Sequence, residues 1–143
     1  MTMPSYVCGL SDEPLLSLTI PQAFANTVSQ YPDRTALVSC HQSISLTYAQ
    51  LSARVDAFAK GLHTLGLRKG DRIGIWSPNN AEWVLTQLAT ARLGLILVNI
   101  NPAYRIAELD YALNKVGCKA LVLAHRFKTS DYAQMIQTLC PEL

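Results

Sequence analysis

The feature that most constrains this chain is an alternation of two periodicities. Short, largely apolar runs at residues 72–76, 95–98 and 119–124 are each followed by a stretch with helical spacing. A run of that kind, bounded by polar turns, reads as a strand, and apolar positions three and four apart read as a helix packed on one face. Strands that alternate with helices are joined by right-handed crossovers into a parallel sheet. The expected fold is therefore α/β, a partial doubly wound parallel sheet flanked by helices. The run at 95–98 has no polar alternation, which predicts a strand covered on both faces.

Ahead of this unit, residues 35–40 and 44–48 form two β-branched, apolar runs separated by a short polar turn, so an N-terminal β-hairpin is expected. The turn has no Asn-Gly pair to set its register. Five helices follow from spacing and caps. The first covers residues 20–31 with Phe24, Val28 and Tyr31 inward. The second opens on Thr47 and Gln50, spaced as a capping box, buries Leu51, Val55, Phe58, Leu62 and Leu65, and stops at Gly66. In the third, Asn79 and Glu82 are spaced as cap and third residue, Val84, Leu88 and Ala91 face inward, and Gly94 ends it. The fourth runs over 108–116 with Leu109, Leu113 and Val116 inward and Gly117 as stop, and the fifth covers about 130–139. Residues 1–18, with Pro4, Gly9 and Pro14, read as an irregular lead-in.

Composition narrows the function classes. Of 143 residues, 50% are apolar and only 15% charged, so the chain can bury a core but has few charges to solvate its surface. That imbalance predicts burial against further chain or a second copy. A net charge of +2 gives no electrostatic footprint for nucleic acid. The longest strongly apolar stretch, residues 93–100, is interrupted by Gly94 and Asn99 and is too short to span a bilayer, which takes about 20 residues. The N-terminal stretch has no apolar signal core, and Cys8, Cys40, Cys118 and Cys140 form no CxxC pair or Cys/His cluster. A cytoplasmic protein with free thiols and no metal site is expected.

Ligands of open α/β sheets collect beyond the carboxyl ends of the strands. Three loops stand there: 76–79, 99–104 and 125–128. None carries a GxxxxGK[ST] or GxGxxG phosphate cradle, and no GxSxG elbow occurs. Histidines 41, 63 and 125 have no nucleophile or carboxylate at a telling spacing, and no pair of carboxylates suggests acid and base roles. Arg126 and Lys128 read either as solvated loop cations or as two charges that hold a phosphate. Trp83 reads as core.

The motifs, taken in order, resemble a known family. Leu46-Thr47-Tyr48-Ala49-Gln50-Leu51 is similar to the L-[TS]-Y-x-[EQ]-L motif that opens the AMP-forming acyl-CoA synthetases. Gly61-Leu62, the run from Gly66 to Ile73, Pro78-Asn79 with Glu82-Trp83, Gln87-Leu88-Ala89 and Asn101-Pro102-Ala103-Tyr104 with Glu108-Leu109 follow in the family's order. The likeness covers residues 18 to 143 and is nearest to the medium- to long-chain fatty acyl-CoA branch. At Arg105 this chain departs from the Thr or Ser that relatives often place there as a helix cap.

The resemblance implies a parent enzyme that activates a fatty acid with ATP and magnesium to an acyl-adenylate and passes the acyl group to coenzyme A. The family's phosphate loop, adenine site, magnesium-associated Glu and C-terminal lysine lie later in its chain. Residues 19–143 are thus expected to be the N-terminal α/β portion of a larger domain, partnered by the rest of the synthetase. On its own the chain is expected to be inactive, to need no cofactor, and to bury an open face by forming a homodimer, swapping elements or binding a hydrophobic dye. The resemblance and the loop position together suggest that Asn101, Pro102 and Tyr104, with Arg126 and Lys128, line the coenzyme A side of the cleft. The competing reading is a stand-alone, non-catalytic α/β binding or dimerisation module.

Overall fold

The computed structural model describes Gly9 and residues 15–142. Most of the expected lead-in falls outside the described residues, and its described part, residues 15–18, forms neither helix nor strand. The order that follows is α1 (Ile20–Gln30), β1 (Thr35–Ser39), β2 (Ile44–Thr47), α2 (Tyr48–Thr64), β3 (Arg72–Trp76), α3 (Ala81–Leu93), β4 (Ile96–Asn99), α4 (Ile106–Val116), β5 (Ala120–Leu123), β6 (Arg126–Phe127), β7 (Ser130–Asp131) and α5 (Tyr132–Leu139).

β1 and β2 form the antiparallel hairpin. Its turn is a single 3-10 turn, Cys40–Gln42, closed by Ser43 in the left-handed region at φ 54°. Strands β3, β4 and β5 form a parallel sheet in the order β4-β3-β5. The chain moves from β3 one way to β4, then back past β3 to β5. Two right-handed crossovers in opposite directions must place their helices on opposite faces. The core clusters agree. Leu46, Leu51, Val55, Leu62, Ile73 and Ala89 pack on one face beneath the hairpin, α2 and α3. Trp76, Ile100, Leu109, Tyr132 and Met135 pack on the other, beneath α4 and α5.

The central strand β3 is buried from Ile73 to Trp76, as a parallel strand with two neighbours should be. Gly74 permits this closeness. A Cβ there would lie 2.8 Å from Leu121 Cδ1 and 3.0 Å from Ile100 Cδ1. Among the described residues β4 lies at the edge of this sheet, yet both its faces are packed: Leu97 lies against the core under α2 and α3 and Val98 against the core under α4 and α5, while Ile96 at its start is 46% exposed.

Helix caps explain most boundaries. Thr47 and Gln50 form the expected capping box, with Gln50 N–H donating to Thr47 Oγ1 at 3.3 Å and Thr47 N–H to Gln50 Oε1 at 3.0 Å. Thr19 and Gln22 form a second box that starts α1. For α3 the cap is Asn80 rather than Asn79: its Oδ1 accepts from Trp83 N–H at 2.8 Å. Gly94 and Gly117 cap α3 and α4 in the left-handed region. α4 starts at Ile106, two residues before the expected 108, because Glu108 Oε2 accepts the Arg105 N–H at 3.1 Å and supplies half a box without a hydroxyl at the cap.

Three expected core faces shift. α1 buries no residue fully: Phe24 packs partly against the core and Tyr31 is 38% exposed. α3 buries Ala81, Thr86, Ala89 and Thr90, while Val84 and Leu88 pack against the core only partly and Ala91 is half-buried. Thr86 and Thr90 are tolerated inside because their hydroxyls donate to Glu82 O and Thr86 O, at 2.7 and 2.8 Å. In α2 Leu51, Val55, Ala59 and Leu62 are buried, Phe58 packs on the core only partly, and Leu65 is 78% exposed just past the helix end. Trp83 is half-buried and belongs to neither core cluster.

Candidate functional site

Beyond the carboxyl end of β3 the chain turns to the face of α3, and beyond β4 and β5 it turns to the face of α4 and α5. Connections that diverge in this way open a crevice on each side of β3. The crevice between β3 and β5 holds a cavity of about 330 Å³, lined by Ile75, Ser77, Asn80, Val122 and His125 among others. Gln42 reaches its rim from the hairpin and donates to Glu82 Oε2 at 2.7 Å.

The crevice between β3 and β4 is closed by two aromatic side chains. Trp76 ends β3 and Tyr132 begins α5, and both are fully buried. Their rings stack with centroids 3.6 Å apart and planes 14° from parallel. Each ring also carries a hydrogen bond to the loop after β4. Trp76 Nε1–H donates to Asn101 O at 3.1 Å, and the Tyr132 hydroxyl donates to Pro102 O. Burial pushes the Tyr132 phenol above its ordinary pKa, so the hydroxyl keeps the proton it donates.

The expected site residues are distributed as follows. Asn101 folds its own loop, with Oδ1 accepting from Ala103 N–H at 2.9 Å and its carbonyl from Tyr104 N–H at 3.0 Å. Pro102 is half-buried beneath Tyr132. Tyr104 is 36% exposed and lines an open groove of about 520 Å³ beside β4, with Ile100, Ala107 and Tyr111. Arg126 and Lys128 are exposed. They sit on a tight β6–β7 ladder, not the open loop expected, with Arg126 opposite Asp131 and Lys128 at φ 52° with its ammonium 5.3 Å from the Phe127 ring. Neither side chain makes a hydrogen bond or ion pair with another described residue.

The loops at 101–104 and 125–128 do not follow adjacent strands, because β3 lies between β4 and β5. They are joined instead by residues 130–132. Tyr132 N–H donates to His125 O at 3.1 Å while its hydroxyl holds Pro102, and Arg105 Nη1 donates to Ser130 Oγ at 2.6 Å. Tyr132 and Arg105 therefore belong to this site, although the sequence reading noted Arg105 only at a helix start and gave Tyr132 no role. The available signal was the apolar stripe Tyr132, Met135, Ile136 and Leu139, which points α5 at the sheet.

The chemistry on offer is positional. Among the described residues no three His, Cys, Asp or Glu side chains converge. Burial pushes the Cys118 thiol up, against the pull of Arg72, which keeps it protonated and unreactive. Elsewhere, at the amino end of the sheet, Asp71 bridges Lys119 Nζ at 2.6 Å and Arg68 N–H at 2.8 Å. The Lys119 ammonium, followed by the Arg68 amide, holds its carboxyl below the usual range. What the site offers a ligand is a braced loop, an apolar groove beside it, and two free cations.

Comparison with known proteins gives the family. The AMP-binding enzyme model matches residues 24–143. The mitochondrial medium-chain acyl-CoA ligase ACSF2 of Mus musculus is 50% identical over 139 residues, which is 97% of this chain and 23% of that protein. Among solved structures, the N-terminal domain of FACL13 from Mycobacterium tuberculosis superposes with TM-score 0.77 at 26% identity, covering 85% of this chain and 30% of that one. A Mycobacterium tuberculosis fatty acyl-CoA synthetase gives 0.76 at 27%, covering 84% and 23%. The chain thus spans about a quarter of the length of the curated relatives it matches. On these grounds it belongs to the AMP-binding enzyme family, as an N-terminal segment of the acyl-CoA synthetase type.

Proposed function

We propose that residues 19–143 form the N-terminal α/β portion of a fatty acyl-CoA ligase of medium- to long-chain type. Such an enzyme joins a carboxylate to ATP, releases pyrophosphate, and transfers the acyl group from the adenylate to coenzyme A. The observation that carries the reading is 50% identity across 97% of the chain to a protein whose name gives that activity. The segment contributes architecture and one wall of the coenzyme A path. It does not form acyl-adenylate alone, since it has no glycine-rich cradle to orient the phosphates of ATP. ATP, magnesium and the fatty acid are bound by the remainder of the synthetase, which is the main partner of this segment. An intracellular setting fits the free thiols Cys40, Cys118 and Cys140. Among the described residues no helix is long and apolar enough to cross a membrane.

Coenzyme A supplies the thiol that accepts the acyl group. Asn101, Pro102 and Tyr104 shape the wall past which its arm runs, and Arg126 and Lys128 attract its phosphates. Both cations are exposed, so each contact contributes only about 0.5 kcal/mol. In the ligase that contains this segment, Arg126→Ala with Lys128→Ala should raise KM for coenzyme A about fivefold and leave ATP–pyrophosphate exchange unchanged. An unaltered KM for coenzyme A would refute the assignment of these two residues.

A further inference from the structure

We propose that Tyr132 is the positioning residue of the Asn101–Tyr104 loop, acting with Trp76 as a two-ring latch. The proposal rests on the coenzyme A reading only for its catalytic consequence. Its structural ground is independent. Two fully buried rings lie face to face, and each directs a single donor at one of two consecutive carbonyls, Asn101 O and Pro102 O.

A tyrosine held in a core for bulk alone does not need its hydroxyl. Here the hydroxyl reaches 30 residues back along the chain to a carbonyl that no other described group satisfies. Pro102 has no backbone N–H to donate, so that oxygen is the one backbone group of its own that can hydrogen-bond. The Trp76 bond complements this on the preceding residue. Asn101 O takes both the indole N–H and the Tyr104 N–H, so the turn is built around an anchored atom. Tyr132 also fixes the other loop, because its own N–H donates to His125 O. One residue thus sets the spacing between the wall at 101–104 and the cations at 126 and 128. Arg105, bonded to Ser130, braces the same pair from the exposed side. Displacing a positioning group by even about 1 Å is enough to impair a bound substrate's alignment.

The test uses Tyr132→Phe, which keeps the ring and its stack and deletes only the donor, and Trp76→Phe as a second variant. Amide hydrogen exchange of the 143-residue chain reads the loop directly. In Tyr132→Phe the Ala103 and Tyr104 amides should exchange about fivefold faster, the worth of one ordinary hydrogen bond, while the Leu95 amide at the far end of the sheet is unchanged. Equal acceleration at Leu95 would mark Tyr132 as general packing and overturn the proposal, as would unchanged exchange at Ala103 and Tyr104. In the ligase, Tyr132→Phe should raise KM for coenzyme A about fivefold without slowing pyrophosphate exchange, whereas loss of both activities would again indicate a merely structural role. The two readings separate cleanly: if coenzyme A binds elsewhere, the Arg126 and Lys128 substitutions leave KM untouched while the loop amides still respond to Tyr132→Phe.

Discussion

Replacing Leu109 by alanine tests whether α4 and α5 bury the second face of the sheet. Leu109 is fully buried and sits among Trp76, Ile100, Tyr132 and Met135. The substitution removes three carbons, a transfer loss of about 2.4 kcal/mol at about 0.8 kcal/mol each. The neighbours are held by the ring stack and its two hydrogen bonds, so they cannot collapse fully, and the residual cavity brings the total to about 3 kcal/mol. With an unfolding entropy of about 2.1 cal/mol/K per residue, the chain of 143 residues should lose about 10 °C in Tm. Differential scanning calorimetry of the purified chain reads this directly. Tyr111→Ala, two residues on and 63% exposed, is the control and should cost less than about 0.5 kcal/mol. A Leu109→Ala shift no larger than that of Tyr111→Ala would mean that α4 is not seated on the sheet as described.

The remaining predictions concern acid stability and association. The Asp71 carboxyl has its pKa lowered in the folded chain, so its contribution is whole above the ordinary value of 3.8 and is lost as pH falls through the lower folded value. Asp71→Asn should therefore lower Tm at neutral pH and flatten its decline at the acid end, and an unchanged acid limb in pH-dependent calorimetry would contradict the bridge to Lys119. Among the described residues no strand pairs with the outer edges of β4 and β5, and Ile96 and Tyr111 are exposed beside one of them. The isolated chain should dimerise or bind a hydrophobic dye, and a dye-silent monomer in sedimentation at tens of micromolar would count against that.

Much of the fold was legible because its determinants are local. The strand at 72–76 announces itself by apolar residues on both faces, and the Thr47–Gln50 box by two side chains three apart. Where two adjacent residues offered the same chemistry, local reading failed: Asn79 and Asn80 are equally good caps on paper. Asn80 takes the role with Oδ1 on Trp83 N–H and its amide on Ser77 Oγ at 2.9 Å. The strand order β4-β3-β5 was not legible, since a short apolar run does not say which strands it will pair with. Asn101, Pro102 and Tyr104 were singled out because strand ends are a general address for ligands. The latch that holds them was not, because Tyr132 and Pro102 are distant in sequence and meet only after α4, β5 and the β6–β7 ladder have folded.

The central claim is that this segment belongs to a fatty acyl-CoA ligase whose adenylating chemistry lies outside it. Carboxylate-dependent ATP–pyrophosphate exchange, measured side by side on the purified 143-residue chain and on the ligase that contains it, tests that most directly. The account predicts exchange driven by a medium- or long-chain fatty acid in the ligase and none above background in the 143-residue chain. Exchange catalysed by the 143-residue chain, or a ligase that responds to no fatty acid, would contradict it.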